Sequence, residues 1–126
     1  MTFEELKEKT FEYEVKCVDD DQAIKFISVS DNSLLAEIEK EEMFSICLCE
    51  FTELPMNIQR KLFKIFNDYR ESLINRKVIE IFQNKIDKLK STLKKNQLSY
   101  EDELFIKSRI RSFEINIEII KAIEEE

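Results

Sequence analysis

Two apolar stripes near the C-terminal end limit what this chain can become. Val78, Phe82, Ile86, Leu89 and Leu93 recur at steps of four and three, and Ile106, Ile110, Phe113, Ile117 and Ile120 do the same. That spacing predicts two helices packed along their length, with the whole stretch from Asn75 to Ile123 forming a helical hairpin. The join, Lys94-Lys95-Asn96-Gln97-Leu98, is polar and carries no helical period. Ser99 then offers an N-cap, with Asp102 at capping-box spacing, and Glu101 and Glu103 suit the positive end of the helix dipole. Leu104, Phe105, Ile115, Ile119 and Ile123 lie off the second stripe, so that helix is apolar over more than one face and calls for cover beyond its hairpin partner.

The 126 residues are of a size for one domain, expected as a strand module over 1–53, a connecting helix over 54–74 and the hairpin over 75–126. Hydrophobic residues at 43% and charged residues at 37% favour a folded, helix-rich chain over disorder. No run of about 18 apolar residues occurs, which argues against a membrane span. The opening Met-Thr-Phe-Glu-Glu-Leu-Lys lacks the build of a signal peptide. Cys17, Cys47 and Cys49, odd in number and without C-x-x-C spacing, fit reduced thiols.

Absent residue types exclude whole classes of chemistry. The chain has no histidine and no glycine. Without histidine the usual zinc ligand sets and Ser-His or Cys-His nucleophiles are lost, and without glycine no phosphate-cradling glycine loop can form. Neither catalysis, nor a metal, nor a cofactor is expected. The net charge of −7 disfavours binding to nucleic acid or anionic membrane. Its distribution is uneven: fifteen acidic and five basic side chains give residues 1–53 a charge of −10, while twelve against fifteen give residues 54–126 +3. Only the helical half suits an anion.

From the N-terminus, Thr2-Phe3-Glu4-Glu5 has capping-box spacing and opens a short amphipathic turn carrying Phe3 and Leu6. Phe11, Tyr13, Val15 and Cys17 then alternate with polar residues as a half-buried strand does. Asp19-Asp20-Asp21 reads as a turn, and no calcium loop follows it. Residues 24–29 predict a second strand and Ser30 to Ser33 a turn. Leu34, Ala36 and Ile38 read as a third strand, although the stretch is rich in helix formers. Phe44, Ile46 and Leu48 continue the alternation after a turn at Lys40 to Glu42. Pro55 and Asn57 mark the start of a helix whose stripe is Ile58, Leu62, Ile65, Phe66, Tyr69 and Leu73, with Arg60, Lys61, Lys64 and Arg70 on a basic outer face. The expected fold is α+β: a small N-terminal antiparallel β-meander packed on helices, followed by a long C-terminal antiparallel helical hairpin.

On the second hairpin helix Arg109, Ser112 and Asn116 share one side, next to Phe105 and Phe113. Arginine is the best phosphate fork, and serine and asparagine add adjustable hydrogen bonds. Phe82 offers a ring face to a purine. Spacing alone favours an amphipathic flank and a core ring over a ligand site.

With Phe51-Thr52-Glu53-Leu54-Pro55, the Asn57-Ile58-Gln59-Arg60-Lys61-Leu62-Phe63 run, the strand module and the hairpin laid out, the chain resembles the first Thoeris anti-defence family of phage proteins. The resemblance implies a sponge that sequesters a TIR-made cyclic ADP-ribose isomer, or a related cyclic nucleotide, without cleaving it, in the cytoplasm of a bacterial host. It also implies a homodimer or larger homo-oligomer with pockets between subunits. An aromatic on the first hairpin helix would meet the base and an arginine on the second the phosphate, places taken here by Phe82 and Arg109. The amide that also contributes would be Asn96, with Thr92 nearer the expected turn. Two other classes stay open: an acidic inhibitor of a host defence complex, anti-CRISPR-like, and a phage structural or adaptor protein.

Overall fold

The computed structural model describes residues 1–95 and 97–125. Helix α1 (Phe3–Phe11) leads into strands β1 (Val15–Asp19), β2 (Ala23–Ser28), β3 (Leu34–Glu39) and β4 (Ser45–Leu48). A single 3₁₀ turn (Glu50–Glu53) precedes the long helix α2 (Met56–Lys95), and helix α3 (Tyr100–Glu125) follows. The chain packs as two compact units, Met1–Ile74 and Asn75–Glu126. The α+β class expected from the sequence is the one observed. Among the described residues, no helix is long and apolar enough to cross a membrane.

In the first unit the four strands form one antiparallel meander in the order β1-β2-β3-β4. Its inner face carries Val15, Ile24, Phe26, Ala36 and Ile38, all buried. A two-stranded or uncovered sheet of this size is marginal in water, so the apolar face needs a lid. The lid is α1, through Leu6, and the first part of α2, through Leu62, Phe66 and Tyr69. Phe66 stacks on Phe26 with ring centroids 3.8 Å apart and meets Phe51 of the 3₁₀ turn at 5.8 Å.

Two boundaries differ from the sequence reading. The opening turn is a full helix: the Thr2 hydroxyl accepts from the Glu5 N–H, and Leu6 and Thr10 are buried one turn apart. The first strand therefore begins at Val15 rather than Phe11, whose side chain is 76% exposed. Glu14, at φ 57°, turns the chain between helix and strand. Pro55 sits one step before α2, where its carbonyl accepts from the Ile58 and Gln59 N–H groups, so it caps the helix that Asn57 was expected to cap. Between Leu73 and Val78, where the sequence gives no stop signal, α2 continues without interruption.

A chain without glycine must place other residues wherever the backbone turns left-handed. Besides Glu14, residues Asn32, Met43 and Phe44 do so, at φ 61°, 56° and 60°. Two such residues in succession before β4 carry a cost of about 1–2 kcal/mol each. Arg70 of α2 offsets part of it by donating from Nε to the Phe44 carbonyl at 2.6 Å. Arg70 thus anchors a turn, unlike the solvated basic face to which the helical pattern assigned it. Between β1 and β2, Asp20 accepts from the Gln22 and Ala23 N–H groups, each at 2.8 Å. These bonds, Ala23 first, together with Lys25, hold the Asp20 carboxyl down to about 2 from 3.8.

Arg70→Ala is expected to cost about 1.5–3 kcal/mol in urea unfolding, the range for a hydrogen bond from a charged donor, whereas Met43→Gly should gain up to about 1 kcal/mol by relieving the left-handed strain. Because the folded Asp20 value is lowered, its contribution is whole above 3.8 and drains as pH falls toward about 2. Asp20→Asn should flatten that stretch of the acid-unfolding profile.

Candidate anion site on the helical hairpin

The second unit is built on one seam. Ile86 of α2 and Ile110 and Ile117 of α3 are buried, with Ile79, Phe82, Leu89, Leu93, Ile106 and Phe113 packed around them. Phe82 meets Phe113, the Lys85 ammonium lies over Phe113, and Leu89 shares a hollow with Arg109. As α2 advances, its partners on α3 fall back, which is the antiparallel register expected. Ser99 caps α3 as its position predicts, accepting from the Asp102 N–H at 3.2 Å. Arg111 spans the exposed surface of α3 to reach Glu118 at 3.7 Å.

That register brings a cluster of cations to one flank of the seam. Lys85, Lys88, Leu89, Arg109 and Phe113 line a shallow hollow of about 340 Å³. The Lys85 ammonium stands 5.7 Å from the Phe113 ring centroid, and the Arg109 guanidinium carbon stands 5.7 Å from Phe113 and 5.9 Å from Phe105. All three distances lie inside the reach of a cation–π contact, which holds the charged heads over the rings without neutralising them. Among the described residues, Lys85, Lys88 and Arg109 form no ion pair; the nearby pairs are Lys77–Glu80, Lys107–Glu103 and Arg111 with Glu114 and Glu118. Three uncompensated cations around one depression make a place for a polyanion, with the guanidinium as a planar fork and the ammoniums as point charges. A second hollow, of about 300 Å³ on the sheet, is lined by Asp20, Glu37, Glu39, Glu41 and Glu42 with Lys25, and repels the same ligand.

Comparison with protein-family models, with curated proteins and with solved structures gave no match.

Among the described residues nominated from sequence, Arg109 is the one that lines the cationic hollow. Phe82 is half-buried, its ring 5.4 Å from that of Phe113, and it belongs to the hydrophobic seam. Ser112 and Asn116 are exposed on α3, where the Asn116 amide donates to the Ser112 carbonyl at 2.8 Å. Neither lines the hollow. Thr92, the other residue weighed near the turn, donates its hydroxyl to the Lys88 carbonyl. Asn96 lies outside the described residues. Sequence reasoning missed Lys85, Lys88 and the part played by Phe113. The three-residue step from Lys85 to Lys88 along the edge of the Ile86–Leu89 stripe was the available signal.

Phe82→Ala should therefore behave as a core truncation, costing about 3 kcal/mol in thermal or urea unfolding, toward the lower end for a phenylalanine because the ring is only half-buried. Arg109→Ala, at an exposed position, should stay within about 0.5 kcal/mol of the parent. The two melting curves together separate a seam residue from a site residue.

Proposed function

We propose that this chain captures a cyclic ADP-ribose-type nucleotide and holds it without cleaving it, acting as a phage anti-defence sponge against TIR-dependent immunity. The observation that carries the reading is the convergence of Lys85, Lys88 and Arg109, none of them ion-paired among the described residues, on one hollow beside Phe113. A pyrophosphate bears about two negative charges, and a guanidinium fork with two ammoniums matches it in charge and in hydrogen-bond donors. The family resemblance supplies the identity of the nucleotide. Capture without turnover agrees with a hollow whose polar groups are all cations with no proton acceptor among them.

The ligand shell is completed by a second copy of the chain. Leu104, Ile115, Ile119 and Ile123 stand on the side of α3 away from the seam and are between 40% and 58% exposed. Exposed apolar side chains gathered on one side of a helix mark an interaction surface, and a self-complementary helix face is the simplest route to a symmetric dimer. Pairing two copies would enclose a shallow hollow that a single chain leaves open. Nanomolar capture corresponds to about −12 kcal/mol and needs such enclosure, because exposed charges are screened by salt.

Isothermal titration with a glycosidically closed cyclic ADP-ribose isomer tests the reading. Binding is expected to be tight, with the nucleotide recovered unaltered after heat denaturation. Arg109→Ala should weaken it by about 1.5–3 kcal/mol, roughly ten- to over a hundredfold, and Lys85→Ala or Lys88→Ala by somewhat less. Unchanged affinity in a folded Arg109→Ala protein would remove the hollow from the site, and a cleaved product would replace the sponge with an enzyme. Light scattering that finds a stable monomer at micromolar concentration contradicts the second copy.

A further inference from the structure

The outer face of the sheet gathers a donor set that is scattered in sequence. Glu37 and Glu39 alternate along β3 and so project to the same face. The β3–β4 register sets Glu37 opposite Cys47 and Glu39 opposite Ser45. One carboxylate oxygen from each glutamate and the Cys47 sulfur all lie within 4.8 Å of one another. Donors bonded to one ion at about 2.0–2.3 Å are roughly 3.3–3.8 Å apart in a tetrahedron, a gap that small side-chain rotations close.

The local charge is unbalanced. Lys25, which stands opposite Glu37 in the β2–β3 register and lines the same hollow, pairs with Asp20 at 3.2 Å, and Lys40 pairs with Asp19, so five carboxylates around the hollow face one lysine. Among the described residues, neither Glu37 nor Glu39 has an ion pair, although both are half-buried and side by side. Two neighbouring carboxylates without a cation repel, and a dication relieves the repulsion. Glu41, Glu42 and Asp20 rim the adjoining hollow of about 300 Å³ and focus the field on it.

The sulfur decides which ion. A purely oxygen cluster suits calcium or magnesium, whereas thiolate with carboxylate suits zinc and its borderline neighbours. We propose that Glu37, Glu39 and Cys47 form a binding site for a zinc-class divalent cation on the outer face of the sheet. The site is independent of the hairpin hollow and stands whether or not that hollow takes a nucleotide.

Cobalt(II) titration of the reduced, metal-free full chain is the test, with zinc as competitor. The expected result is one equivalent bound, a thiolate-to-cobalt charge-transfer band in the near ultraviolet, and loss of that band on adding zinc. Cys47→Ser should abolish the band. Paired Glu37→Gln and Glu39→Gln substitutions should weaken binding by at least the roughly 10–100-fold that even outer-shell partners are worth. Cys17→Ser should leave both unchanged, because Cys17 faces the other side of the sheet, at 3.2 Å from the Thr10 hydroxyl. Circular dichroism on each variant checks that it is folded. A band that survives Cys47→Ser, the absence of stoichiometric binding, or calcium competing as well as zinc would overturn the proposal.

Discussion

The packing of Ile86 against Ile110 and Ile117 sets what the C-terminal unit presents to solvent. A helix has only a few side chains on any face, and which of them meet those of a neighbouring helix depends on register. Once the buried isoleucines interlock, Lys85 and Lys88 on α2 fall on the flank occupied by Arg109 on α3, with Phe113 as the floor. Sliding either helix by one turn, about 5.4 Å, would separate the lysines from the arginine and dissolve the cationic hollow. The cationic hollow is a by-product of the seam, so it depends on residues that never line it.

The N-terminal unit shows the same dependence in another geometry. Its sheet is held by Phe66 on Phe26, an α2 ring on a β2 ring, and the strand register that follows puts Glu37 and Glu39 beside Cys47. The unit also shows how a chain without glycine manages its turns. Met43 and Phe44 take left-handed conformations that ordinary side chains resist, and an arginine from α2 is spent on holding the turn closed.

Much of this was legible in the sequence wherever one periodicity dominated. Phe82, Ile86, Leu89 and Leu93 of the first stripe and Ile106, Ile110, Phe113 and Ile117 of the second lie along the observed seam, with Ile79 rather than Val78 at its start and without Ile120, and the alternations over 24–28, 34–38 and 46–48 are strands. Legibility failed where two periods overlap: Phe11, Tyr13, Val15 and Cys17 alternate, yet Leu6 and Thr10 extend a helix into the same stretch. The Glu50–Glu53 turn has no apolar period at all and went unread. For the site, Arg109 stood out by chemical type alone. Lys85 and Lys88 did not, because a lysine on a helix flank means nothing until the opposing helix is placed. Phe82 was readable either as core or as a stacking ring, and only its contact with Phe113 puts it in the seam. Glu37 and Cys47 are ten residues apart, and nothing but strand pairing makes them neighbours.

In the proposed function Lys85, Lys88 and Arg109 act together as one anion receptor. The most direct measurement is a nitrogen–proton correlation spectrum of the chain as a cyclic ADP-ribose isomer is added. The Arg109 Nε–H signal and the backbone amides around Lys85, Lys88 and Phe113 are expected to shift first and furthest, while those of β1 to β4 stay in place. Shifts concentrated in the sheet, or none at all at saturating nucleotide, would contradict it.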